Sequence, residues 1–137
     1  MTTPAPLVGL TVTHRRYVTY SSAHYAGSLV DGAYVLALFG DVATEMCVRT
    51  DGDEGLFASY SDVQFLAAVR AGDVVEAEAR LTRVGTRSRV LALEARVVCR
   101  SLAAGGGEPA VASAAVVLDP PLVVVTATGT VVVPPPG

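Results

Sequence analysis

Basic charge is scarce in this sequence. Ten Lys and Arg stand against 13 Asp and Glu, for a net charge of −3. That mild acidity offers no electrostatic footprint for nucleic acid or for an anionic membrane surface. Cysteine is scarce as well: Cys47 and Cys99 are far apart and belong to no Cys/His metal pattern, so two free, buried thiols and no metal site are expected. The opening MTTPAPLVGL has no basic stretch followed by a long apolar run. No signal peptide is therefore expected, and the reading is cytoplasmic. No fixed-period repeat is visible. What is present is a composition 51% hydrophobic and 17% charged over 137 residues, which suits one folded domain over residues 1–137. A chain of this size buries roughly two-thirds of its unfolded surface.

The one long apolar segment that reads as a helix runs from about Val30 to Val48, inside HYAGSLVDGAYVLALFGDVATEMCVRTDGDE. Apolar residues cover nearly every face of it, which predicts burial all round. Asp31, Asp41 and Glu45 interrupt it and Gly32 and Gly40 notch it, so protein rather than lipid is the expected surrounding. Asp31 is placed to cap the helix. Glu45 stands four residues before Arg49, the spacing of a helical ion pair. Asp41 has no such local partner.

Almost everything else reads as strand. A Thr/Pro-rich lead over residues 1–7 is expected to be loose. Val8–Tyr20 has strand composition, and 21–29 is a loop in which Gly27 allows unusual backbone angles. Residues 49–55, RTDGDEG, make a turn. Leu56–Leu66 is a second strand. Val74–Val84 alternates, with Val75, Ala77, Ala79 and Leu81 on one face and Glu76, Glu78, Arg80 and Thr82 on a wet one. Arg87–Arg100 alternates again, with Leu91, Leu93, Ala95, Val97 and Cys99 inward, and the pair is a hairpin turning at Gly85-Thr86. SLAAGGGEP is a flexible loop. Val111–Leu118 and Leu122–Val133 are strands broken by Asp119-Pro120-Pro121, and a Pro-rich tail closes the chain at 134–137. The fold class is α+β, an antiparallel sheet wrapped around a long central buried helix. Exposed sheet edges call for cover, and a homodimer supplies it economically.

The order strand, HYAGSLVDGA helix, strand, GDVVEAEARLTRVGTRS hairpin resembles the hotdog fold of acyl-thioester enzymes. More narrowly, HYAGSLVDGAYVLALFGDVATE followed by DGDEGLFASYSDVQFLAAVRAGD resembles the β-aminoacyl-CoA ammonia lyases, over roughly residues 14–100. One departure is Ala68, where many hotdog proteins carry Pro. The resemblance implies a single hotdog domain built as a homodimer, in the family often assembled further into tetramers or hexamers, with sites at the dimer interface. It implies a coenzyme A thioester substrate and no metal or organic cofactor beyond the coenzyme A of that substrate. The implied activity is a carbon–nitrogen lyase that reversibly eliminates ammonia from a 3-aminobutyryl-CoA-like thioester, or adds an amine to an enoyl thioester. An acyl-carrier-protein pantetheine is an alternative carrier. A thioesterase on the same fold and a non-catalytic acyl-CoA-binding dimer are alternative functions, since fold alone does not decide.

That chemistry needs three things. Backbone N–H groups must meet the developing enolate oxygen, and Gly27 or the Asp31-Gly32-Ala33 helix start would supply them. Gly32 would equally serve helix–sheet packing. A base must take the α-proton, for which His24, Asp31, Asp41 and Glu45 are the candidates. A carboxylate must hold the β-ammonium group. Tyr25 beside His24 would donate a hydrogen bond or pack, and Glu54 on its glycine-flanked turn would lie over a neighbouring subunit's site. Arg87 and Arg89, flanking Ser88, suit phosphate oxygens of coenzyme A, as the hairpin end does in the wider superfamily.

Overall fold

The computed structural model describes residues 7–103 and 111–135. The expected loose lead, the glycine loop and the tail lie mostly outside these residues. Five strands and one long helix follow in the order β1 (Thr11–Tyr17), α1 (Gly32–Asp51), β2 (Leu56–Phe65), β3 (Val74–Val84), β4 (Ser88–Ser101) and β5 (Ala115–Val132), with a short 3-10 turn at Tyr20–Ser22. All strands pair antiparallel in one sheet of order β1-β3-β4-β5-β2. The helix lies across its inner face, which is the hotdog arrangement.

The alternation in β3 and β4 sets that inner face. Val75, Ala77, Ala79 and Leu81 join Leu91, Leu93, Ala95 and Val97 in burial. Alanines at the centre leave room for the two largest fully buried side chains of the helix, Phe39 and Met46. Full burial of each Leu, Met or Phe contributes about 1.5–3 kcal/mol. On the outer face the register sets Arg15 opposite Glu76, and Glu76 opposite Arg96. Glu76 accepts from Arg15 Nη2 and Arg96 Nη2, both at 2.6 Å, and Arg96 also reaches Glu78 and Glu94. The wet face is a cross-strand ladder of opposite charges.

Three expectations are corrected. First, the helix is not buried all round. Val35, Leu38, Phe39, Val42, Ala43, Met46 and Cys47 face the sheet, while Ala33, Ala37, Asp41 and Val48 are exposed. The sheet covers one face, and small residues lighten the other. Second, Asp119-Pro120-Pro121 does not end a strand. Val97 pairs with Leu122 but Cys99 with Val117, so the intervening residues of β5 are absorbed as a bulge, where proline's missing N–H breaks no ladder bond. Third, the first strand is shorter than expected, because Gly9 turns the chain at a φ of 97° before Thr11 and the 3-10 turn follows Tyr17.

Candidate functional site

The helix start and the segment after β2 border a half-open cavity of about 320 Å³. Its apolar walls are Val30, Val35, Phe65, Val69 and Val125, with Gly32, Ala67 and Ala68 completing them. Among the described residues, Asp31 is the one titratable side chain lining it. The volume lies within the range of small-ligand pockets.

Asp31 occupies the N-cap position of α1 in extended backbone, yet its side chain makes no capping hydrogen bond. The simple cap reading is therefore corrected. Its carboxylate instead accepts from His24 Nε2 at 3.0 Å. That bond is the main reason Asp31 titrates below the usual carboxylate range, against the opposing pull of partial burial. Asp31 thus stays ionised at the mouth of an apolar cavity, beside the first backbone N–H groups of a five-turn helix.

Local backbone geometry delivers His24 to it. Gly27 and Ser28 both take the left-handed conformation, at φ 75° and 59°. They reverse the chain so that Tyr25 N–H donates to the Leu29 carbonyl at 3.2 Å. Tyr25 packs its ring 4.5 Å from that of His24 and is otherwise half exposed. Gly27 makes the turn but does not line the cavity; the helix start does. At Gly32 an added Cβ would meet the Phe65 ring at 2.7 Å, so this glycine lets the ring close over the helix N-terminus. Ala33 points to solvent.

The other expected site residues are not gathered here. Asp41 and Glu45 lie about 15 and 21 Å farther along the helix, at ~1.5 Å per residue. Asp41 is exposed and accepts from Arg16 Nη2 at 3.1 Å; its partner comes from β1, not from the helix itself. Glu45 takes the expected Arg49 pair at 2.7 Å and, in addition, His14 at 2.7 Å. His14 first, then Arg49, hold it below the usual range. Glu54 is exposed at the opposite end of α1 from Asp31.

Arg89 is not open to a phosphate. It is buried and forks onto Asp51, with Nε to Oδ2 at 2.9 Å and Nη2 to Oδ1 at 2.7 Å, while Nη1 serves the Gly85 and Ser88 carbonyls. It continues the inward series of β4, so its charge is needed inside. Arg87 is exposed, with Nε 3.2 Å from the Val133 carbonyl, and Ser88 is half-buried at the strand start. Sequence reasoning missed Phe65, Val69 and Val125 as cavity walls. Their apolar character marks them only as core, and no local signal shows that the chain after β2 folds back to the helix start.

Among the described residues no cluster of three or more His, Cys, Asp or Glu is placed to hold a metal ion, and no helix is long and apolar enough to cross a membrane. Cys47 is buried, and burial raises its thiol to about 11.

The profile of the Thioesterase superfamily matches residues 27–102. The chain is 57% identical over 76 residues to the 3-aminobutyryl-CoA ammonia lyase of Acetoanaerobium sticklandii, covering 56% of this chain and 60% of that one. The structure of β-alanyl-CoA:ammonia lyase from Clostridium propionicum matches with a TM-score of 0.85 at 35% identity, over 92% of this chain and 86% of that one. A hexameric hotdog-fold thioesterase of Campylobacter jejuni matches at TM-score 0.66 and 15% identity, over 87% and 79% of the two chains, a likeness of fold.

Proposed function

Because this chain belongs to the Thioesterase superfamily, whose profile covers more than half of it, we propose that it works on a coenzyme A thioester as a β-aminoacyl-CoA ammonia lyase. The two relatives named as ammonia lyases support that class. The observation that carries it is Asp31: a carboxylate kept ionised by His24 at the head of an apolar cavity, free of the capping bond its position invites. An anion there attracts the β-ammonium group of the substrate, which a plain acyl thioester lacks.

The thioester carbonyl lies against the N–H groups of Gly32 and Ala33, where the helix dipole favours the developing enolate oxygen. The α-proton passes to a base at the Asp31–His24 pair, the Cα–Cβ double bond forms, and the C–N electron pair leaves with ammonia. Apolar walls keep water from the carbonyl, which favours elimination over hydrolysis. No cofactor beyond the coenzyme A of the substrate is required, and the same site accepts pantetheine on a carrier protein if its mouth admits one.

The protein acts as a homodimer in this reading. β2 is an edge strand carrying Leu56 (71% exposed) and Phe65 (58% exposed), with Leu66 just beyond it. Antiparallel pairing of two β2 strands about a two-fold axis sets the start of one against the end of the other. The Glu54–Leu56 segment and the Arg87-Ser88 hairpin end of the partner subunit then approach the Phe65 side of the cavity, where Glu54 meets substrate nitrogen and Arg87 a phosphate. A cytoplasmic setting follows from a coenzyme A substrate.

The test is purified protein with crotonyl-CoA and an ammonium salt, followed by mass spectrometry with free-thiol release read in parallel. An amine adduct without thiol release is expected. Thiol release without adduct makes the protein a thioesterase, and tight crotonyl-CoA binding with neither product makes it an acyl-CoA-binding dimer.

A further inference from the structure

The cavity wall at Ala67–Val69 belongs to no strand, since β2 ends at Phe65 and β3 begins at Val74. Such a segment needs other partners for its backbone if it is to hold one position. Ala67 N–H donates to the Val124 carbonyl at 3.3 Å, and beyond it the stretch is braced by Asp73. Its side chain is fully buried and accepts from Arg70 N–H at 2.8 Å and from Arg100 Nε and Nη2, both at 2.9 Å. The same Nη2 donates to the Ala68 carbonyl at 2.9 Å. A buried carboxylate thus aims a guanidinium from β4 at the cavity wall. Two further bonds join that wall to the catalytic loop: Val30 N–H to the Val69 carbonyl at 3.0 Å, and Ala71 N–H to the Ser28 carbonyl at 2.9 Å. Val30 immediately precedes Asp31.

We propose that Asp73 and Arg100 are positioning residues for the Asp31–His24 site, holding the Ala67–Val69 wall and, through it, the start of the catalytic helix. The proposal rests on the lyase reading for its kinetic consequence but not for its structural one. Only a planar fork reaches both Asp73 oxygens and the Ala68 carbonyl together; lysine keeps the charge and loses the geometry.

Arg100→Lys therefore separates the role in positioning from mere charge balance. Residue-resolved amide hydrogen exchange on the unliganded protein is expected to accelerate about tenfold at Val30 and Ala71, while the core amides of Ala77 and Ala95 change little. With 3-aminobutyryl-CoA, kcat/KM is expected to fall about tenfold or more, as a wall displaced by a fraction of an ångström spoils alignment, while binding of free coenzyme A is unchanged. Unchanged exchange at Val30 and Ala71, or equal acceleration throughout the sheet, overturns the proposal. If the wild-type protein turns over no β-aminoacyl thioester, the lyase reading fails, and the exchange result still decides the positioning role. Arg100→Gln serves as a second variant: it leaves the buried Asp73 carboxylate without its guanidinium partner, so exchange at Val30 is expected to accelerate more than in Arg100→Lys.

Discussion

At the scale of single residues, Asp31 gives up a stabilising bond for a contact that the proposed mechanism uses. An N-cap aspartate ordinarily stabilises its helix by about 1 kcal/mol through a bond to the first turn. Here the side chain turns to His24 instead, and the helix forgoes that bond. Asp31→Asn keeps the shape and the bond to His24 but removes the charge. The expected result is a loss of about 10²–10⁴ in kcat for ammonia elimination, with the thermal midpoint nearly unchanged and crotonyl-CoA binding retained. Steady-state kinetics beside a melting curve checks this; a variant with wild-type kcat removes Asp31 from the mechanism. The pH dependence follows from the same bond. Asp31 is held below its usual value of 3.8 by the His24 bond, so it is ionised in the folded protein at any pH above that value. Any acid limb in kcat/KM due to Asp31 therefore lies below pH 3.8, and a limb nearer neutrality belongs to another group.

At the scale of elements, two ion-pair systems hold the sheet and helix in register. Asp51, at the last turn of α1, would be unfavourable beside the negative helix end. Arg89 neutralises it from β4 in a nearly dry setting, with side chains 4% and 12% exposed. Asp51→Ala leaves that arginine buried without its carboxylate, and the expected cost is about 3–5 kcal/mol in urea unfolding. Glu76, on the outer face, is held below the usual range by Arg15 and then Arg96. A depressed folded-state value means that its stabilisation is present above about pH 4.5 and is lost as pH falls through the lower folded value. Glu76→Gln should therefore cost roughly 1.5–3 kcal/mol at pH 7, and the difference from wild type should be smaller once the pH is taken below 4.5. Unfolding midpoints on either side of that pH test it. The alternation that makes β3 and β4 was legible in sequence because a period of two is local, and both strands were placed to within a residue. The bonds across the sheet were not. Arg89 and Arg100 read as basic residues at strand ends, and only the register brings one to Asp51 and the other to Asp73. In the same way, Asp41 read as a lone buried acid because Arg16 is 25 residues away in the chain. The Asp31–His24 pair was half legible: both residues stood out, but their contact depends on two successive left-handed residues at Gly27 and Ser28, and sequence signals only the glycine.

At the scale of the whole molecule, one protomer accounts for the cavity but leaves its surroundings unfinished. Phe65 lines the cavity while 58% exposed, and Leu56 at the other end of the same edge strand is 71% exposed. An edge with apolar ends and unpaired backbone groups is a template for a second copy. Two-fold pairing along β2 covers both residues at once, because each Leu56 then approaches the other subunit's Phe65. In the proposed dimer it would also bring Glu54 of the partner subunit toward the cavity, although within one protomer that residue lies a helix length of about 30 Å from Asp31. Leu56→Asp puts a charge at that junction without touching the cavity of its own protomer. Light scattering is expected to show a dimer for the wild type and a monomer for the variant, with lyase activity falling in step. The decisive arm mixes Leu56→Asp with excess Asp31→Asn subunits. If a shared interface completes each site, recovery of activity should track the mixed dimer in which an intact Asp31 faces an intact partner edge. A monomeric Leu56→Asp protein with full activity would instead show that each protomer is complete alone, and would remove Glu54 from the site.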